Sequence, residues 1–273
     1  MKFRKLRYGL PAIVGMSLVA LMGAQCQPQK PPGTFPTPTT QVGPGDPGVN
    51  PCTLPAAGLS PFTQDELDNN WEEDRRFPTG GVTSVTFDGC DNVAEIGIDS
   101  SQAHPTSGFH RTEGIKTLGA NMGNAVQIHL YIDPAWQETA VRAGLWVVGG
   151  NNAGGRDDLY GIIEFTNLEP ITGGPDLGPN AADFEGFRFW DTDLDVWTES
   201  GAAFTYGDWA TLRIELDAAN EEYDYFINGV LIGSGPGGVN FIWEAFINQY
   251  NFGLNEFANL SNDSYSTHWL AGI

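Results

Sequence analysis

Two carboxylates on alternate positions of an extended segment point the same way, and a pair about 5 Å apart suits double-displacement hydrolysis of a glycosidic bond. Glu215-x-Asp217, with Glu221 and Glu222 beyond, is the nearest approach to such a pair in this 273-residue sequence. Leu212, Ile214 and Leu216 alternate with Arg213, Glu215 and Asp217, so these acids read as the solvated side of an amphipathic strand. Gln127-Ile128-His129 offers a different chemistry. Gln127, His129 and Tyr131 share one strand face, and a base beside a charge neutraliser is what proton abstraction next to a carboxylate requires. Gln127, His129 and Glu164 are therefore the residues to examine for catalysis, although they form no complete catalytic set.

Metal chemistry has one candidate. Asp191-x-Asp193-x-Asp195 has the opening spacing of a calcium loop. The twelve-residue version needs Gly at its sixth position and Glu at its twelfth, where Val196 and Ala202 stand. An acidic hairpin turn is the simpler reading, with Ca²⁺ there or at Asp157-Asp158 as the alternative. His104, His110 and His268 are scattered, no His/Cys spacing suggests zinc, and no nucleophile-elbow motif is present. No cofactor is expected.

A binding face is easier to trace. Along 141–148, Ala143, Leu145 and Val147 oppose Arg142, Gly144 and Trp146. Ile163 and Phe165 likewise oppose Tyr160 and Glu164, and Phe187 and Phe189 oppose Arg188 and Trp190. Trp146, Tyr160, Glu164, Arg188 and Trp190 thus gather on the side away from the aliphatic set. Flat aromatics among planar charged groups suit a sugar, whose C–H faces stack on rings while its hydroxyls bond to Arg and Glu. The competing reading is an Arg–Glu pair with packed Trp that only stabilises the domain, since Val148 and Ile162 share that side. Trp136 and Trp197 are candidates for an exposed rim or, equally, for plugs at the edge of the sandwich.

The elements that must position these residues are strands. Alternating runs occur at Val82–Phe87, Val93–Ile98, Ala125–Ile132, Val141–Val148, Leu159–Phe165, Phe184–Trp190 and Ala210–Leu216. Further runs are Tyr223–Ile227, Val230–Ile232, Phe246–Tyr250 and Tyr265–Leu270. Asn228-Gly229 marks a two-residue hairpin, and Thr63 followed by Glu66 a helix start. All eight Trp fall within 62–273, which reads as one all-β domain, a two-sheet antiparallel sandwich.

The segments before it read as an export leader and a spacer. Lys2, Arg4, Lys5 and Arg7 precede the apolar run Leu10–Leu21 and the small residues Gly23 and Ala24, so residues 1–25 predict a signal peptide. Residues 27–61 carry ten Pro among 35 residues, so 26–61 predicts a disordered Pro-rich linker. Cys26 is the candidate lipid anchor, although Gln25 departs from the usual small residue before it; cleavage after Ala24 competes. Cys52 and Cys90 then form an even pair, and an exported compartment permits their disulfide. Without the leader's four bases, 9 of the 13 basic residues remain against 34 acids, a net −25. That charge disfavours nucleic acid and anionic membrane surfaces as partners, leaving the lipid anchor as the membrane contact.

Several short motifs in order carry a family likeness. They are Trp71-x-x-Asp74-Arg75, Phe109-x-x-Thr112-x-Gly114, Arg142-Ala143-Gly144-Leu145-Trp146, Ile163-Glu164-Phe165 and Phe187-Arg188-Phe189-Trp190-Asp191, followed by Trp209-x-x-Leu212 and Tyr225-x-x-Asn228-Gly229. Together they resemble exported bacterial domains of the concanavalin A-like lectin/glucanase, or LamG-like jelly-roll, superfamily. The resemblance implies a jelly roll with one concave sheet; many such domains bind glycans and some are glycosidases. Gln127-Ile128-His129 and Arg111-Thr112-Glu113 also resemble motifs of jelly-roll alginate lyases, but they stand closer together here and the third lyase motif is missing. Three functions remain: a surface-tethered glycan-binding module, a polysaccharide-degrading lyase or glycosidase, and a structural envelope protein.

Overall fold

The computed structural model describes residues 51–53, 62–102, 112–118, 122–139, 141–150, 156–167, 184–192, 194, 196–238, 240–250 and 264–271. The leader 1–25 and Cys26 lie outside the described residues, as do Asp193 and Asp195 and, within the 26–61 segment, all but Pro51, Cys52 and Thr53. A 3₁₀ turn spans Pro51–Thr53, and the disulfide Cys52–Cys90 pins it to the sandwich with a Cα–Cα distance of 5.3 Å.

One helix, α1 (Gln64–Asn70), opens the domain. The Thr63 hydroxyl accepts from the Glu66 amide at 3.1 Å, satisfying a donor that a first helical turn leaves open. Strands follow in chain order: β1 (Trp71–Asp74), β2 (Gly81–Phe87), β3 (Cys90–Ile98), β4 (Thr112–Thr117), β5 (Ala125–Ile132), β6 (Arg142–Gly150) and β7 (Arg156–Thr166). The remainder are β8 (Gly186–Asp191), β9 (Val196–Glu199), β10 (Asp208–Asp217), β11 (Glu222–Ile227), β12 (Val230–Pro236), β13 (Ile242–Tyr250) and β14 (Tyr265–Ala271).

They form two seven-stranded antiparallel sheets, ordered β1-β4-β13-β6-β7-β8-β9 and β12-β11-β10-β5-β14-β3-β2. The two-sheet antiparallel jelly-roll sandwich expected from the sequence is the observed architecture. Asn228 and Gly229 take φ of 49° and 75°, the positive pair that a tight β11–β12 hairpin needs. Asp88 and Gly89, at 50° and 76°, turn β2 into β3 in the same way.

Alternation along each strand sends one set inward. Leu145, Ile163 and Phe187 from the first sheet meet Ile96, Leu130, Leu212 and Tyr225 from the second. Each fully buried aliphatic side chain of this kind contributes about 1.5–3 kcal/mol. Two features go beyond the sequence reading. Trp136, read as an exposed rim or an edge plug, is 1% exposed; its ring packs 5.6 Å from Phe165 and its indole donates to the Ser266 carbonyl at 3.2 Å. The strands β1 and β4 were not foreseen, because their segments, Trp-Glu-Glu-Asp and Thr-Glu-Gly-Ile-Lys-Thr, show almost no apolar alternation. Their pairing is set by neighbours: β4 runs between β1 and β13.

The disulfide closes a 38-residue separation, for which chain entropy predicts roughly 3–4 kcal/mol of stabilisation. Replacing both Cys52 and Cys90 by Ala is expected to lower the melting temperature by roughly 10 °C. Calorimetry checks this; an unchanged midpoint would remove the staple from any account of stability.

Candidate functional site

The outer side of the first sheet is organised in rows that cross the strands. Register aligns Asp74, Gly114, Asn248, Gly144, Glu164, Arg188 and Glu199, one from each of the seven strands in spatial order. This row contains no apolar side chain. Beside it runs a second row, in which Lys116, Phe246, Trp146 and Ile162 are cross-strand neighbours. Trp190 and Trp197 pair at its far end. A polar line and an aromatic line therefore lie side by side on the face turned away from the core.

Glu164 sits at the centre of the polar row and is 1% exposed. The Arg142 Nε donates to both of its oxygens at 2.7 Å, and Arg188 donates to Oε1 at 2.6 Å. Both guanidinium groups also lie on Trp197, at 4.7 and 4.3 Å from the ring centroid. One carboxylate and one indole thus hold two cations in place. Gly144 is required beside them, since a Cβ there would meet the Glu164 Cβ at 2.8 Å.

The aromatic row forms its own apolar cluster, distinct from the core. Trp146, Val148, Ile162, Trp197 and Phe246 are buried in it, while Tyr160, Trp190 and Trp243 pack on it half-exposed. Trp190 meets Trp197 edge-on at 5.1 Å, and Tyr160 meets Trp146 edge-on at 6.3 Å. From the other sheet, Tyr225 stacks on Phe189 at 4.8 Å and donates to the Trp190 carbonyl at 3.3 Å, which fixes the backbone that carries Trp190. At the β1 end the Arg75 guanidinium lies 4.9 Å over the Trp146 ring and bonds to Asp74 at 2.6 Å. A partly exposed contact of this kind is worth about 0.5–1 kcal/mol.

The structure brings together all five residues that the sequence assigned to binding. Their exposure is unequal. Glu164, Arg188 and Trp146 are buried at 1–5% exposure, and the Arg–Glu pair is internal to the face. Trp197, read as an exposed rim or an edge plug, is 9% exposed beneath the two arginines. Arg142 and Arg75 join the site without having been assigned to it. Arg142 shares the strand parity of Trp146, a signal that was available; Arg75 depends on the unforeseen pairing of β1.

The residues to examine for catalysis do not meet. Gln127 and His129 alternate with the core residues Val126, Ile128 and Leu130, so they lie on the outer face of the second sheet, opposite Glu164's. His129 is 3% exposed and its Nδ1 bonds to the Thr211 hydroxyl at 2.9 Å. Burial lowers its pKa to about 4. Tyr160, Ile162 and Glu164 are outward positions of β7, and Glu164 is the carboxylate among those of its side chains that are described. Glu215 pairs with Arg213, while the Asp217 carboxylate caps a turn by accepting from the amides of Ala219 and Asn220. Asp191 similarly accepts from the Leu194 amide at 3.0 Å, the task of a turn residue. Among the described residues no group of three His, Cys, Asp or Glu side chains could hold a metal ion.

No protein-family model matches this sequence, and no curated protein does. Solved structures similar to the chain include a Bacillus licheniformis beta-glucanase, at 10% identity and a TM-score of 0.42, covering 74% of this chain and 90% of the other. A glycoside hydrolase family 16 endo-glucanase from Bacteroides ovatus is similar at 11% identity and 0.45, covering 74% and 93%. An endo-β-galactosidase from Clostridium perfringens that releases GlcNAcα1-4Gal stands at 11% and 0.46, covering 82% and 64%.

Two outcomes follow from the site. Glu164→Gln leaves two buried guanidinium charges without their carboxylate and is expected to cost about 3–5 kcal/mol, seen as a lower urea midpoint; a midpoint within error of wild type would refute the buried-ion account. The lowered pKa of His129 means that the unfolded chain takes up this proton first. Stability from neutral His129 is complete above about pH 6.5 and declines as pH falls toward 4, by about 3 kcal/mol. In His129→Gln, urea melts across that window should show a shallower decline than wild type.

Proposed function

We propose that this domain binds a neutral polysaccharide on the outer face of its first sheet. The observation that carries the reading is the aromatic cluster on that face, separate from the core and flanked by a polar row. Half-exposed Tyr160, Trp190 and Trp243 offer ring faces for pyranose C–H groups. Arg142, Glu164 and Arg188 serve as the rigid base that holds Trp197 and, through it, Trp190. A net charge of −21 favours an uncharged polymer over an anionic one. On this reading residues 1–25 export the chain, 26–61 space the domain from the envelope, and Cys26 is where a lipid would attach.

Cleavage of the same polymer is the second reading, and Glu164 at the centre of the face is its support. Double displacement needs two carboxyl groups about 5 Å apart. Both oxygens of Glu164 accept from arginine.

Affinity electrophoresis of the whole protein in laminarin, mixed-linkage β-glucan, galactan and alginate gels tests both readings. A neutral polymer is expected to retard it, with affinity reduced about tenfold or more in Trp190→Ala and no release of reducing ends. Retardation by none of these gels, or retardation indifferent to Trp190→Ala and Tyr160→Ala, would sink the binding proposal. Reducing ends released by the wild type would move the assignment to a hydrolase.

A further inference from the structure

Within the polar row one buried side chain makes no hydrogen bond. Asn248 is 2% exposed, yet neither its Oδ1 nor its Nδ2 has a hydrogen-bond partner. On β4, two positions along from its cross-strand neighbour Gly114, Thr112 is 1% exposed and its hydroxyl also lacks a partner. Buried polar groups are nearly always satisfied, because the water they gave up must be replaced. Three orphaned polar atoms on adjacent strands of one sheet face therefore mark a place built for something other than stability.

The neighbours agree. Asn248 has glycine on both sides in its row, Gly114 on β4 and Gly144 on β6. A Cβ at 114 would collide with the Asn248 Oδ1, so the amide lies over that glycine. At 144 a Cβ would meet the Trp146 Nε1 at 3.2 Å. The Arg75–Trp146 contact reaches from the edge strand β1 to β6, across the two strands that carry Thr112 and Asn248.

We propose that Asn248 and Thr112 are the hydroxyl-reading element of the polysaccharide site, reached when Arg75 lifts from Trp146. The inference rests on the binding reading above and names how the polymer is recognised. A carboxamide offers one acceptor and one donor side by side. That pair matches two neighbouring hydroxyls of a pyranose, one donating to Oδ1 and the other accepting from Nδ2. The Thr112 hydroxyl serves a third oxygen. An uncharged reader suits an uncharged sugar, since the nearby guanidinium groups of Arg142 and Arg188 are already engaged by Glu164.

Asn248→Leu and Thr112→Val separate this role from a packing one. Each removes orphaned polar atoms at similar volume, so the melting temperature is expected to hold or rise. Affinity for laminarin or mixed-linkage β-glucan, by calorimetric titration of the whole protein, is expected to fall about tenfold in the first variant and severalfold in the second. Stability gained with affinity intact in both variants, while Trp190→Ala still weakens binding about tenfold or more, would overturn the inference and leave the parent reading standing. A wild type that binds neither polymer overturns both. Should Asn248→Leu fail to fold, Thr112→Val decides alone: unchanged affinity there refutes the proposal.

Discussion

Two arginines on one buried carboxylate are the constraint around which the outer face of the first sheet is arranged. Glu164 cannot occupy an apolar surrounding without compensation, and Arg142 and Arg188 supply it from the strands on either side. Their guanidinium planes then require a partner of their own, which Trp197 provides from β9. Four consecutive strands, β6 to β9, are thereby cross-linked on the side away from the core. Replacing any one member leaves a charge or an indole without its reason to be there.

That arrangement gives the sandwich two apolar layers in place of one. The first lies between the sheets and includes residues such as Leu145, Ile163 and Leu212. The second lies outside, where Trp146, Ile162, Trp197 and Phe246 pack beneath the half-exposed rings of Tyr160, Trp190 and Trp243. Rings held by packing would lose little further freedom if a ligand stacked on them, as the binding proposal requires.

The same face explains why a reading built on residue types alone overstated its chemistry. Glu164 and Arg188 have the functional groups a sugar would meet, but their bonds are directed at each other and, for Glu164, also at Arg142. Asn248 and Thr112, less conspicuous in sequence, are groups on this face with bonding capacity unspent. Burial and partners, more than identity, separate a supporting side chain from one left available to a ligand.

Strand parity was legible because side chains alternate with a period of two whatever the fold around them. It placed Trp146, Tyr160, Glu164, Arg188 and Trp190 on one side, and Asn228-Gly229 in a turn, from sequence alone. It could not show that Gln127 and His129 lie on the opposite sheet from Glu164, because nothing local says which sheet a strand joins. Trp136 looked like a rim residue or an edge plug and is core, since burial depends on what packs above it. The strands β1 and β4 carry no apolar alternation and exist through pairing with β13 and with each other. The sequence by itself determined which side chains share a face, because that follows from backbone geometry. Only the tertiary structure decided which faces meet, which charges are compensated and which polar atoms are left over, because those depend on contacts between residues far apart in the chain.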